Sequence, residues 1–300
     1  MDTFSPEAQE TYARFFTPLG PSAAAGVVGA IFFILFLVWI YIAIRSRGFL
    51  KMAVLRLFIF CLAGGVGYSL RIACNNNMPT ATTSSSDFSK FINLYIASSV
   101  MTALGNFFLF NALSAVTIAW VEQCRDPSQK DLIARDQRYL RLFTIATLVA
   151  LILTIVSSSK NDNTLRTASN GIFTALLVIL LLALCFFRVE FASRITTSRH
   201  AALPIVLFVC TFILLIAEAF KLYQCVAPIG SPALTSVTLT YVFAAMLQLI
   251  ILIILTISWI PIFYTLLSKE PQAKQESQGR DTDAYPMADP QYKYNNARLV

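Results

Sequence analysis

The stretch Leu203-Pro-Ile-Val-Leu-Phe-Val-Cys-Thr-Phe-Ile-Leu-Leu-Ile-Ala-Glu218-Ala-Phe-Lys221-Leu-Tyr-Gln224 decides the fold. A helix of about 20 apolar residues crosses a hydrocarbon core, and this stretch is long enough. It nevertheless carries Glu218, the one carboxylate inside any apolar span of the chain. A charge at mid-depth costs roughly 2.5–3.5 kcal/mol on insertion scales, so Glu218 is expected to face protein or water and to have a partner.

Working outward, the same character recurs in seven blocks, at about 23–44, 51–74, 91–120, 139–158, 168–187, 202–224 and 234–267. Hydrophobic residues make up 57% of the chain and charged ones 13%, and the mean hydropathy is +0.67. Soluble domains do not have this balance. Membrane β-barrel strands alternate and are half this length, so continuous apolarity excludes them. The expected fold is all-α, an integral membrane bundle of seven transmembrane helices with the N-terminus outside and the C-terminus cytoplasmic.

The orientation rests on charge. Asp2, Glu7 and Glu10 replace the basic start of a cleavable signal peptide, so the first span reads as an uncleaved anchor. Arg45, Arg47 and Lys51 follow it and hold that end inside. With seven alternating crossings, sixteen basic residues fall on the cytoplasmic side and four (Arg14, Lys90, Lys160, Arg166) on the other. These are topology charges beside anionic lipid; they account for the net charge of +7 without nucleic acid. Residues 1–22 read as an extracellular lead, 23–267 as the seven-helix domain and 268–300 as a disordered cytoplasmic tail. The plasma membrane is the expected location.

The same topology sorts the six cysteines. Only Cys74 and Cys225, at the outer ends of spans two and six, share an oxidising face. A Cys74–Cys225 disulfide is one expectation and two free thiols at helix ends is the other.

Polar residues within the spans are few. Span two has Gly64, Gly65 and Gly67 at mid-membrane, the pattern of close helix packing. Arg56 can snorkel at its cytoplasmic end, and Arg71 lies about a turn from its outer end. In span three Tyr95, Ser99, Thr102, Asn106, Phe110, Leu113 and Thr117 fall on one helical stripe. This stripe reads as interhelical hydrogen-bonding glue or as the lining for a small polar ligand. Trp39 and Tyr41 read as an interfacial aromatic belt. The loop from Glu122 to Arg141 mixes charges of both signs, with Asp126-Pro127 as a helix start. It reads as a solvated helix or as the docking surface for a cytoplasmic protein. Span seven holds Gln248, and Pro261 should disturb its last turns.

Several chemistries are excluded. One histidine, His200, and no clustered carboxylates leave no metal-ligand spacing and no triad, so no metal and no catalytic residue is assigned. The first lysine of span seven is Lys269, outside it, so a retinal Schiff base has no site. Phosphate-cradling glycine loops are absent, and no cofactor is expected. The chain reads as non-enzymatic; a membrane cyclase using Glu218 as proton donor would need a second intramembrane acid.

What remains is an outer-leaflet charge group. The helical rise puts Arg71 and Glu218 at similar depth, with Lys221 one turn above Glu218. An ion pair between Glu218 and either Arg71 or Lys221 is expected. Either it only fixes helix packing, or it floors an outward pocket walled by Tyr68, Ser99, Thr102, Asn106, Tyr223, Gln224 and Gln248.

The seven-span layout, the segment Lys51-Met-Ala-Val-Leu-Arg-Leu-Phe-Ile-Phe-Cys-Leu-Ala-Gly-Gly and the aliphatic spans four and five resemble uncharacterised fungal seven-transmembrane proteins. Pro21-Ser22 and Gly67-Tyr68-Ser-Leu-Arg71 are similar to the pattern of the fungal lipid-translocating exporter family. That second likeness implies transport of sphingoid bases or drugs. Two functions follow as expectations. A carrier of amphipathic small molecules or lipids needs a groove reaching the Arg71/Glu218 level. A receptor-like sensor needs a pocket closed below and a cytoplasmic partner on residues 122–141. Membrane lipids surround either.

Overall fold

In hydrocarbon every backbone N–H and C=O must be satisfied within its own segment, so each apolar block becomes one helix. The computed structural model describes residues 20–45, 50–78, 85–125, 130–160, 162–192, 198–228, 230–264 and 267. The helices are α1 Ser22–Arg45, α2 Lys51–Asn76, α3 Ser85–Cys124, α4 Lys130–Lys160, α5 Asn163–Glu190 and α6 Ser198–Val226, followed by α7 Val237–Tyr264. All seven are long and apolar enough to cross a membrane. No strand occurs among the described residues. The lead before Gly20, the tail from 268, the Asp126-Pro127 start and most of the Thr/Ser run lie outside the described residues, as does the His200 side chain. The end carrying the α2–α3, α4–α5 and α6–α7 connections is termed the upper end.

The chain folds in sequence order, each helix on the next, and α7 returns to touch α1. Helix α3 is the exception, packing on α2, α4, α5 and α6. Its 40 residues give a rod of about 60 Å. That is twice the hydrocarbon thickness of about 30 Å, so both ends project. Two-thirds of its apolar window (67%) is buried, against 22% for α4 and α5. The polar stripe is therefore on the most enclosed helix.

The glycines of α2 allow α1 to come close, but they are not equivalent. A Cβ on Gly64 would lie 2.7 Å from Phe32 Cδ1. Phe32 is fully buried, edge-on to Phe60 and stacked on Tyr68, and cannot retreat. A Cβ on Gly65 would lie 2.9 Å from Phe33 Cζ, and Phe33 is exposed and free to swing towards lipid. Gly64→Ala is expected to destabilise by about 1–3 kcal/mol, the usual cost of overpacking. Gly65→Ala should cost roughly 0.5 kcal/mol or less. Unfolding in mixed detergent micelles measures both; equal losses would mean that α1 shifts as a body and the ring-by-ring account is wrong.

Three sequence expectations change here. Trp39 is not in a lipid-facing belt: it is fully buried and packs edge-on against Trp259 of α7 at 5.1 Å, while Tyr41 is exposed. Arg56 does not snorkel; its Nη1 donates to the Asn111 carbonyl of α3 at 2.8 Å. Span seven starts at Val237 rather than 234, because Pro232–Thr235 forms a separate helical turn and Ser236 caps the helix by accepting from the Leu239 N–H. Two stretches of α7, Val242–Met246 and Trp259–Tyr264, are π-helical. Pro261 lies in the second and has no N–H to complete the α-helical pattern.

The lower end is closed by charge. Arg125, just past α3, donates from Nε to Asp136 Oδ2 of α4 at 2.7 Å, with Glu190 of α5 at 3.8 Å. Its guanidinium also lies over the rings of Phe187 and Phe191. Within the charged 122–141 segment, Arg125 and Asp136 are buried fold elements. Arg135, Arg138 and Tyr139 stay exposed.

Candidate functional site

Glu218 is on α6, at a point where that helix faces α3. It is 2% exposed, so a negative charge there needs compensation. Two groups converge on its Oε1: Lys221 Nζ at 2.7 Å from the next turn of the same helix, and Asn106 Nδ2 at 2.9 Å from α3. Asn106 in turn accepts on Oδ1 from Gln248 Nε2 of α7 at 2.5 Å. Lys221, Glu218, Asn106 and Gln248 thus form one hydrogen-bonded chain across three helices. Networks of this kind hold a unique arrangement when every member is paired. Between the two partners open to Glu218, the structure has Lys221.

Above this chain lies a cavity of about 130 Å³ among the upper ends of α2 to α7. It falls short of the roughly 300–1,000 Å³ of pockets that enclose drug-sized ligands, which suits a head group rather than a whole ligand of that size. Ser99, Thr102 and Asn106 of the stripe line it, together with Arg71, Glu218, Lys221 and Gln224. Lower on the stripe, Phe110, Leu113 and Thr117 are buried in the core. Gln224 also donates to the Ala233 carbonyl at 2.9 Å and ties α6 to the following turn.

Three expected wall residues are elsewhere. Tyr68 faces α1, fully buried against Phe32. Tyr223 is 51% exposed on the outside of α6. Gln248 is beneath the cavity, as part of its floor. The Cys74–Cys225 disulfide is not formed, and both are free thiols. Cys74 packs with Phe91 of α3, while Cys225 Sγ accepts from Asn170 Nδ2 of α5 at 3.2 Å. Their helices offer them different neighbours, so sharing an end of the bundle does not bring the two sulfurs together.

Arg71 enters the cavity from α2. Its guanidinium carbon is 5.1 Å from the Tyr68 ring centre and 6.0 Å from that of Tyr241, whose side chain also hydrogen-bonds it. Its Nη1 is buried without a hydrogen-bond partner. No carboxylate pairs with it among the described residues.

Sequence reasoning missed the α4 and α5 walls. Arg166, Asn170 and Phe173 of α5 line the cavity at successive helical turns, as do Thr154 and Ser158 of α4. The spacing i, i+4, i+7 was the available signal. It is masked when span five is drawn from 168, which leaves Arg166 as a loop residue; the helix begins at Asn163, capped by Asp162. Among the described residues no group of three His, Cys, Asp or Glu side chains gathers as a metal site. No family model, curated protein or solved structure matches the chain.

Proposed function

We propose that this multi-pass membrane protein is a receptor-like sensor whose cavity takes the polar end of a small amphipathic ligand from the extracellular side. The observation that carries this reading is the dead end beneath the cavity. Below the Asn106–Gln248 floor, one continuous apolar cluster runs through Leu109, Leu113, Leu252 and Leu255 to Trp120 and Trp259. A closed floor of this kind supports holding a ligand over passing it onward. The exposed Arg135, Arg138 and Tyr139 on the lower face would then meet the cytoplasmic partner.

The alternative is a carrier or translocator of amphipathic molecules or lipids, in keeping with the exporter likeness. The π segment Val242–Met246 beside the cavity favours it, since such irregular turns give a helix a place to shift. Cysteine accessibility separates the two in the full chain, with Cys124 and Cys185 changed to serine to lower background labelling. Under the sensor reading, Ser99→Cys reacts with an impermeant thiol reagent from outside and Thr117→Cys reacts from neither side. Labelling of Thr117→Cys from the cytoplasm would instead reveal a second open state and make the protein a carrier. Labelling of Ser99→Cys from the cytoplasm alone would invert the orientation.

A further inference from the structure

The cavity holds a cation, Arg71, that no carboxylate neutralises among the described residues. Four side chains that are charged at neutral pH line it: Arg71, Arg166, Lys221 and Glu218. Glu218 and Lys221 neutralise one another at 2.7 Å. Arg166 makes interactions of its own. Arg71 has two aromatic faces and a tyrosine side chain, but no carboxylate among the described residues, and its Nη1 is both buried and unpaired. Cation–π contacts offset part of the cost of burying a guanidinium, about 0.5–2 kcal/mol each, but they do not engage its N–H donors, one of which hydrogen-bonds Tyr241 while Nη1 stays unpaired. A purely structural arginine at this depth is expected to be paired or to reach water.

We propose that the cavity is a site for a phosphate-class oxyanion, seated on Arg71 with Lys221 and Arg166 alongside. This deepens the ligand-binding reading above and rests on it. Three features favour this ligand. A guanidinium presents a planar fork of donors that matches two oxygens of a phosphate. Lys221 uses one of its three ammonium hydrogens on Glu218 and keeps two. Around them stand Ser99, Tyr95 and Asn170, uncharged polar groups suited to the remaining oxygens. A cationic head would instead face three like charges with one carboxylate already engaged. The oxyanion could be free phosphate or the head of an anionic lipid, since the volume suits either.

The test uses the purified full-length protein in lipid nanodiscs and follows thermal unfolding. Inorganic phosphate in phosphatidylcholine discs is one arm, and phosphatidic acid added to those discs is another. A long-chain primary amine and a neutral alkyl glycoside complete the set. Wild type is expected to show a saturable rise in melting temperature with phosphate, with phosphatidic acid, or with both. Which arm responds identifies the source. Arg71→Gln should weaken that response at least tenfold while melting, without ligand, at or above the wild-type temperature, because it removes a half-buried charge that no carboxylate among the described residues neutralises. Lowered melting of ligand-free Arg71→Gln together with an unchanged phosphate response would make Arg71 structural and overturn the proposal. Stabilisation by the amine or the glycoside alone would also overturn it while leaving a ligand-binding protein. Silence in every arm would remove both readings.

Discussion

Lys221→Met is expected to destabilise the protein by about 3–5 kcal/mol, the usual result of leaving one member of a buried ion pair alone. Glu218 cannot turn to solvent, since its side chain is 3% exposed. Its other donor, the Asn106 amide, is shared with Gln248 through the carbonyl oxygen. Removing the ammonium therefore leaves a carboxylate with one neutral donor in a low-dielectric setting. The double variant Lys221→Met/Glu218→Gln should recover most of the loss, because an amide can still accept from Asn106 and carries no charge. The difference between the two variants isolates the charge from the shape. Reversible unfolding in mixed micelles gives both free energies. If the double variant were no more stable than the single one, the pair would matter for its packing alone, and the electrostatic account of the floor would fail.

That this pair could be found at all from residue order has a simple cause. An isolated acid in an apolar span is conspicuous, and its helix neighbour one turn away is fixed by geometry within a single element. The seven helices were legible for the same reason, as each is a local run whose length alone meets the bilayer requirement. What was not legible depended on rotation between helices. Tyr68 and Arg71 are three residues apart on α2, yet Tyr68 packs on Phe32 of α1 while Arg71 reaches the cavity. The stripe on α3 pointed to Ser99, Thr102 and Asn106 because its own periodicity places them together. It could not show that the face opposite would be Thr154 and Ser158 of α4, or Asn170 of α5. Cys74 and Cys225 left two alternatives open for this reason, and the structure has the two free thiols: depth in the membrane is readable one helix at a time, but proximity requires two.

Arg125→Ala should be the most damaging single change at the lower end, with an expected loss of about 3–5 kcal/mol from the abandoned Asp136 carboxylate. The cation–π contacts with Phe187 and Phe191 add about 0.5–2 kcal/mol each at most. Arg125→Lys is not a rescue, because an ammonium cannot stack on two rings and reach Asp136 Oδ2 from the position that Nε now holds. A double change, Arg125→Met with Asp136→Leu, removes both charges and keeps side-chain volume, and is expected to lie within about 1.5 kcal/mol of wild type. Arg125 and Asn106 are joined by the same rod: eighteen residues of α3 lie between them, about 28 Å of helix. Loosening the lower end should therefore raise amide hydrogen exchange in the last turns of α3 and the first turns of α4 and leave the cavity residues protected. Exchange that rises equally at Asn106 and Glu218 would mean that α3 responds as one body. The floor and the lower lock would then be a single cooperative unit rather than two.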